Sequence, residues 1–432
     1  MLTNIKLKKK LLIGLPSILI TLIPIFLITG PLLSDLSVSL VTIIFLYIVI
    51  KEKRYEYFNN SFFKLFILFY LYLLANSLMQ NQNVDSLRIS FFYFRFGIFS
   101  IGLMYFLNED KNLLRNIYYS IIFCFLILII DGLVQFFLKK NLLGFEIMKT
   151  DSGEPLPRVS SFFGDEMILG SYLSRLFPIF FGLYFWFANS KNNFYFFIPI
   201  FILTIILVFL SGERTALFFI ILSIIMMSIF IPNQKKIARI ILVSFLITGS
   251  LILSFSEKTR DRYINVTISQ IIKSESDNEK FYILTRQHEE HYISALRMFN
   301  ENKIFGLGVK NFRNFCNEDR FRISDYTCSP HPHNTYVQLL SETGLIGFLF
   351  IFSIFSYFSY KLIIHLIKIY RRKYLYNDLE ICLIIAFYLT LWPLVPSGNF
   401  FNNWLNIIYF FPVGIFLWSR SNSKNNIHMK SR

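Results

Sequence analysis

What most constrains this chain is a succession of apolar runs long enough to cross a bilayer. A helix needs about 20 consecutive apolar residues to span the hydrocarbon core, and such runs recur from residue 11 to residue 418. Spans are expected at about 11–29, 36–50, 62–80, 88–107, 117–138, 162–187, 194–210, 214–231, 237–255, 336–366, 380–396 and 401–418. The fold class that follows is all-α, a polytopic integral membrane protein of about 12 transmembrane helices. In such a chain the 52 Phe and 24 Tyr are first of all lipid-facing and interfacial residues. No cleavable signal peptide is expected, because Lys6 to Lys10 lead into an apolar run of full spanning length with no small-residue cleavage site.

Basic residues set the orientation. The formal charge of +16 would point to nucleic acid in a soluble protein; here its placement matters instead, and membrane lipids rather than nucleic acid are the expected surroundings. Lys8, Lys9 and Lys10, then Lys51, Lys53 and Arg54, then Lys235, Lys236 and Arg239, then Lys368, Arg371, Arg372 and Lys373 all fall on one side of a twelve-span arrangement. The positive-inside rule makes that side the cytoplasm. The chain then divides into residues 1–255 with nine spans, an outer loop at 256–335, residues 336–418 with three spans, and a basic cytoplasmic tail at 419–432.

The outer loop carries 12 Lys+Arg against 11 Asp+Glu and four of the six histidines, His288, His291, His331 and His333. A loop of this length is expected to be functional. Within it, Tyr282 to Asn300 reads as an amphipathic helix with Tyr292, Ala295, Leu296 and Phe299 on its apolar stripe. Arg286 and Arg297, about three turns apart, share another face. Gly306 and Gly308 in F-G-L-G-V lack the third glycine of a dinucleotide fingerprint, since position 311 is Asn311. His288 and His291 are three apart, whereas the zinc-protease motif spaces its histidines by four, so no metal site is expected. Cys316 and Cys328 lie outside the spans and are expected to close a disulfide in an oxidising compartment, two unpaired thiols being the other reading. Cys124 and Cys382 read as packing residues.

The loop ends in H-P-H-N-T-Y-V-Q-L-L-S-E-T-G-L-I-G, His331 to Gly347, where a polar segment turns into a long apolar run. Thr335 and Gln338 have the spacing of a capping box. That would start a helix near Tyr336 and leave His333 at its positive end, where imidazolium is disfavoured. Arg214, in the tight outer turn Ser211-Gly212-Glu213-Arg214, and Arg158, before the sixth span, reach the same side; an Arg at either place also serves simply by snorkelling to the interface. Inside the spans lie Arg95, Asp131 and Arg175, and Arg95 and Asp131, each roughly 10 Å deep at 1.5 Å per residue, are expected to pair. Guanidinium groups bind phosphate oxygens through paired donors, and a neutral His accepts a proton from a hydroxyl. Arginines with one histidine therefore suffice to transfer a sugar from a lipid-linked diphosphate, without a metal.

Four stretches resemble the O-antigen ligases and related Wzy-type polysaccharide polymerases. They are the His331–Gly347 segment, T-R-Q-H-E-E-H-Y-I-S-A-L-R-M-F with G-L-G-V-K-N-F, S-G-E-R-T-A-L, and R-V-S-S-F-F-G-D-E-M-I-L-G-S-Y-L. In the last, many relatives carry Pro-Asn where this chain has Glu166-Met167. The resemblance implies a GT-C-like membrane glycosyltransferase at the periplasmic face of the bacterial inner membrane, moving a glycan from undecaprenyl diphosphate to an acceptor with inversion. It implies catalytic roles for His333, Arg214 and Arg286, and substrate contacts from Arg158, His331, Asn334 and Arg297. Glu342, Gly344 and Gly347 would be structural, the two glycines allowing close helix packing. The acceptor would be lipid A core in a ligase or a second lipid-linked repeat in a polymerase. A lipid-linked sugar transporter or flippase is the alternative of another class, and clustering of Arg and His at one face argues against a path across the bilayer.

Overall fold

The structure is a computed structural model that describes residues 2–79, 84–147, 158–187, 194–275, 278–281 and 285–430. Its helices run in the order α1 Leu2–Thr29, α2 Pro31–Glu52, α3 Ser61–Met79, α4 Val84–Phe92, α5 Phe94–Glu109, α6 Leu113–Leu138, α7 Leu169–Phe187, α8 Phe194–Leu210, α9 Arg214–Phe230 and α10 Lys235–Phe255. After the outer segment come α15 Thr335–Tyr370, α16 Asp378–Thr390 and α17 Asn403–Lys430. Among the described residues, seven helices are long and apolar enough to cross a membrane, and the shorter Phe197–Leu210 and Arg214–Phe230 are apolar as well. The chain is thus a helical, multi-pass membrane protein, as the apolar runs require.

The helices lie over all twelve expected stretches, but three differ in extent, two of them where polar side chains from elsewhere hold irregular backbone. The fourth stretch is divided at Tyr93. The sixth begins as an open segment, with α7 starting only at Leu169; Gln135 Oε1 accepts the amides of Ser160 and Ser161 at 3.0 and 2.7 Å, and Asp131 accepts from the Ser161 hydroxyl at 2.5 Å and the Leu142 amide at 2.8 Å. The eleventh ends at Thr390, and residues 391–402 form a loop. Residues 419–430, expected as a tail, continue α17 as helix.

Asp131 is therefore not the partner of Arg95. The Arg95 guanidinium donates to Asp35 at 2.8 and 3.0 Å, and Asn403 donates to the other oxygen of Asp35 at 3.1 Å. The pairing inferred from depth alone fails because depth does not say which helices are neighbours: α5 packs against α2 and α17. Arg175 is buried, with one guanidinium nitrogen 2.5 Å from the Ser171 hydroxyl and its plane over the Phe219 ring.

The outer segment holds the short helices α11 Glu257–Arg260, α12 Val266–Ile271 and α14 Phe312–Phe315, and one longer helix, α13 Arg286–Glu301. A two-stranded antiparallel hairpin, β1 Ile272–Glu275 with β2 Asn278–Phe281, departs from the all-α expectation. Helix α13 begins at Arg286; the expected start, Tyr282, lies outside the described residues. Its inward face is His291, Ser294, Ala295 and Met298, and Leu296, expected on the apolar stripe, is exposed. The stripe shifts because the face of α13 that packs inward carries small and polar side chains beside Met298.

Gly344 breaks α15 with φ of 61°, a conformation that L side chains rarely adopt, and a Cβ there would run into the backbone of Ile304 and Phe305. Its role is to kink the helix against the Gly306 turn, where a Cβ would lie 2.6 Å from the Glu342 and Gly344 backbone. At Gly347 a Cβ would meet Thr343 on the preceding turn and, at 3.4 Å, Tyr72 of α3. We expect Gly344→Ala to destabilise the fold by at least about 1–3 kcal/mol, read as a lower unfolding midpoint in detergent. Gly14→Ala, where a Cβ meets nothing within 4 Å, should leave the midpoint in place; equal losses would contradict this account of the kink.

Candidate functional site

The turn between α8 and α9 collects arginines because its carbonyls point outward and its centre is a glycine. Gly212 has φ of 65°, and a Cβ there would lie 2.7 Å from the Arg158 side chain. Arg158 Nε donates to Ser211 O at 3.2 Å, and the Val159 amide to Leu210 O at 3.0 Å. Arg262 donates to Gly212 O at 3.4 Å, and Arg214 to Arg262 O at 3.4 Å. Burial, then the neighbouring Arg262, lowers the Arg158 guanidinium from its ordinary value. Glu213 turns the other way and accepts the Gly170 and Ser171 amides at 2.6 and 3.0 Å. That caps the positive end of α7 with a carboxylate, and burial pushes this carboxyl up to about 7. Arg262 was not anticipated from sequence, although K-T-R-D-R follows directly on the ninth apolar run.

Helix α13 starts at Thr285, whose hydroxyl accepts the His288 amide at 3.3 Å and lies 2.7 Å from His288 Nδ1. Arg286 follows, paired with Glu290 at 2.9 Å and lying over the Tyr326 ring. Arg297 is exposed and donates to Arg322 O at 3.1 Å. The two arginines do share a face, directed to the 318–327 loop. At about 100° per residue that face lies roughly 120–140° round the helix from His291. Cys316 and Cys328 are joined by a disulfide that closes this loop just before His331.

The four histidines form a row with His333 at its centre. Ring centroids lie 4.1 Å apart for His331 and His333, 5.4 Å for His288 and His333, and 5.4 Å for His291 and His333. His333 takes φ of 56°, the left-handed region, uncommon for a residue other than glycine and a mark of backbone held by its surroundings. Ser397, from the loop after α16, does the holding: its amide donates to His333 O at 2.8 Å, its carbonyl lies 3.3 Å from His331 Nε2, and its hydroxyl 3.0 Å from that of Thr335. No expectation named Ser397; the signal was the polar S-G-N between two apolar runs, at 397–399.

Burial pushes the His333 imidazole down to about 3, with the charges of His331, His288 and His291 adding to it. His331 and His288 fall to about 4, burial again coming first, and burial lowers His291 too. His333 is thus neutral, with burial the first cause and the other histidines next. The cap differs from the capping box expected at Thr335 and Gln338. Asn334 is the cap, its Oδ1 accepting from the Tyr336 and Val337 amides at 2.9 and 3.1 Å. Its Nδ2 donates to Pro393 O at 2.9 Å, so the side chain ties the start of α15 to the 391–402 loop. Gln338 is engaged instead with Glu342, Asn399 and the Phe400 amide. Buried Glu342 also accepts the amides of Lys310 and Phe312 at 2.9 and 3.2 Å. It organises the Gly306–Phe312 turn.

Arg214 stands close enough to His288 for its charge to depress that ring further. Arg158, Arg214 and Arg262 therefore gather at the His288 end of the row. This arrangement offers adjacent guanidinium donors for an anion beside a buried neutral imidazole.

Residues 199–352 match the family model for O-antigen ligase, which takes in Arg214, Arg262, Arg286, the histidine row and Glu342. The match agrees with the superfamily that the four sequence stretches resemble. No curated protein matches the chain.

The lowered histidines make acid stability a test of the site. In the unfolded chain each imidazole titrates near its ordinary 6.5, so below that pH the unfolded state binds more protons than the fold. The stability that these neutral rings contribute is complete above about pH 6.5 and is lost as pH falls from there toward about 4. The unfolding midpoint in detergent should drop over that window, and less steeply in His331→Asn. A midpoint that does not move between pH 7 and 4.5 would contradict burial of the row.

Proposed function

We propose that this chain is a membrane glycosyltransferase of the O-antigen ligase type. It moves a glycan from undecaprenyl diphosphate to a hydroxyl of lipid A core at the periplasmic face of the bacterial inner membrane. The observation that carries this reading is the central, neutral His333 with arginines gathered at one end of its row. Under the twelve-span arrangement expected from the sequence, with both termini in the cytoplasm, that row would face the periplasm. The family match supports lipid-linked glycans as the substrate class, and the clustering of Arg and His at one face fits group transfer better than a transport path.

In this mechanism Arg158, Arg214 and Arg262 bind the diphosphate oxygens by charge-assisted hydrogen bonds, and Arg286 joins them by leaving Glu290. The acceptor hydroxyl oxygen attacks the anomeric carbon, forming the new C–O bond, while its proton passes to a ring nitrogen of His333. The bond to the diphosphate oxygen breaks on the opposite side with its electron pair, and the anomeric centre inverts. Negative charge grows on the leaving diphosphate, where fixed guanidinium groups stabilise the transition state more than the ground state. A buried imidazole is a weak base in the resting protein. The donor's negative charge, brought close, raises its proton affinity, so the base gains strength when the donor is bound. Asn334 and Arg297 contribute by holding the loops in register. No step requires a metal.

A polymerase would use the same residues with a lipid-linked repeat as acceptor. Purified protein given a lipid-diphosphate glycan and both acceptors separates the two. Product on lipid A core alone supports the ligase, and elongated lipid-linked chains alone would replace it with the polymerase. His333→Ala should lower transfer by at least about 10²-fold and Arg214→Ala by about 10²–10³-fold, with both variants inserting and eluting as the wild type does. Near-normal transfer in His333→Ala would remove the base assignment. Transfer should persist in EDTA; loss restored by a divalent ion would contradict the metal-free chemistry.

A further inference from the structure

A cavity of about 670 Å³ lies where the ends of α2, α4, α5 and α17 meet the 310–314 turn. Its size is that of a small-molecule site, and its wall mixes apolar side chains such as Ile89, Phe92 and Phe96 with polar ones that include Asp85, Arg88, Lys310, Arg313 and Asn314. Arg95 also lines it but is paired with Asp35. Among the described lining residues this leaves Arg88, Lys310 and Arg313 facing Asp85, an excess of positive charge beside amide side chains.

Arg313 connects the cavity to the His331 side of the histidine row. Arg313 donates to Pro330 O at 3.0 Å, next to His331, and its charge depresses that ring. Phe401, Asn402 and Asn403 on the cavity wall follow closely on Ser397, which clamps His333. The order is therefore Arg214, His288, His333, His331, Arg313. An inverting displacement needs nucleophile and leaving group on opposite sides of the reacting carbon. A base with cationic groups on either side meets that need, one group for each substrate.

We propose that this cavity seats the acceptor, a hydroxyl-rich saccharide carrying a negative group such as a uronate or phosphate. The proposal rests on the transferase reading above. The asparagine amides hydrogen-bond sugar hydroxyls, and Arg88 and Arg313 bind the anionic group. The attacking hydroxyl thus reaches His333 from the His331 side while the diphosphate departs on the Arg214 side.

The test uses the full-length protein in detergent, with binding followed by calorimetry. The probes are trigalacturonate, neutral maltotriose, undecaprenyl diphosphate and dihexanoyl phosphatidylglycerol. Trigalacturonate should bind saturably and more tightly than maltotriose. The double variant Arg88→Glu, Arg313→Glu should weaken it at least about tenfold while leaving undecaprenyl diphosphate binding unchanged, and Arg88→Lys, Arg313→Lys should restore most of the loss. Arg214→Ala should do the reverse, weakening undecaprenyl diphosphate alone. Trigalacturonate binding that ignores the charge reversal, or that is absent, would overturn the proposal. So would displacement by phosphatidylglycerol, which would assign the cavity to a lipid headgroup. Charge-sensitive trigalacturonate binding without any undecaprenyl diphosphate binding would support the saccharide site and overturn the transferase reading.

Discussion

Irregular backbone packed among membrane helices has no water to satisfy it, and this constraint shapes the outer face of the protein. Each site-bearing segment is held by one or two buried polar side chains from a helix. Gln135 and Asp131 of α6 hold the strand of chain that carries Arg158. Glu342 of α15 holds the Gly306–Phe312 turn through two amides. Gln338 and Asn334 hold the 391–402 loop, which in turn clamps His333 through Ser397. Removing any one of these anchors leaves buried backbone donors unpaired, at a cost of about 1–3 kcal/mol each.

The same anchors order the site, in which Glu290 pairs with Arg286. The carboxylates Glu213 and Glu342 turn their oxygens onto backbone amides, not onto the arginines. Arg158 and Arg262 rest on carbonyl oxygens of the 211–212 turn, contacts weaker than those a phosphate offers. The histidine row stays neutral because it is buried among its own kind and beside cations. Cations gathered beside neutral imidazoles favour an anionic ligand before any specific contact is made.

Much of this was legible in the residues. The apolar runs, the basic clusters of one side and the position of the His331–Gly347 segment follow from local composition, because a bilayer tests each run for length and hydropathy on its own. Arg158, Arg214 and the histidines were legible as polar groups at the junctions between apolar runs for the same reason. What misled was partner choice. Thr335 has good capping geometry, yet Asn334 takes the cap and Gln338 turns to Glu342 and Asn399. Arg95 and Asp131 share a depth, yet each finds a different partner. Leu296 belongs to an apolar stripe, yet the helix buries Ser294 and His291 instead.

The sequence by itself determined that the chain is a helical membrane protein and which chemistry its residue types permit. Only the tertiary structure decided that His333 stands at the centre of four histidines, that Arg262 joins Arg158 and Arg214, and that Ser397 holds the histidine loop. The reason is physical. Crossing a membrane is a property of about 20 consecutive residues, whereas a site at a loop junction depends on contacts between segments far apart in the chain. Ser397 meets His333 only because α15 and α16 return the chain to the same face, and no local pattern in either stretch records that meeting.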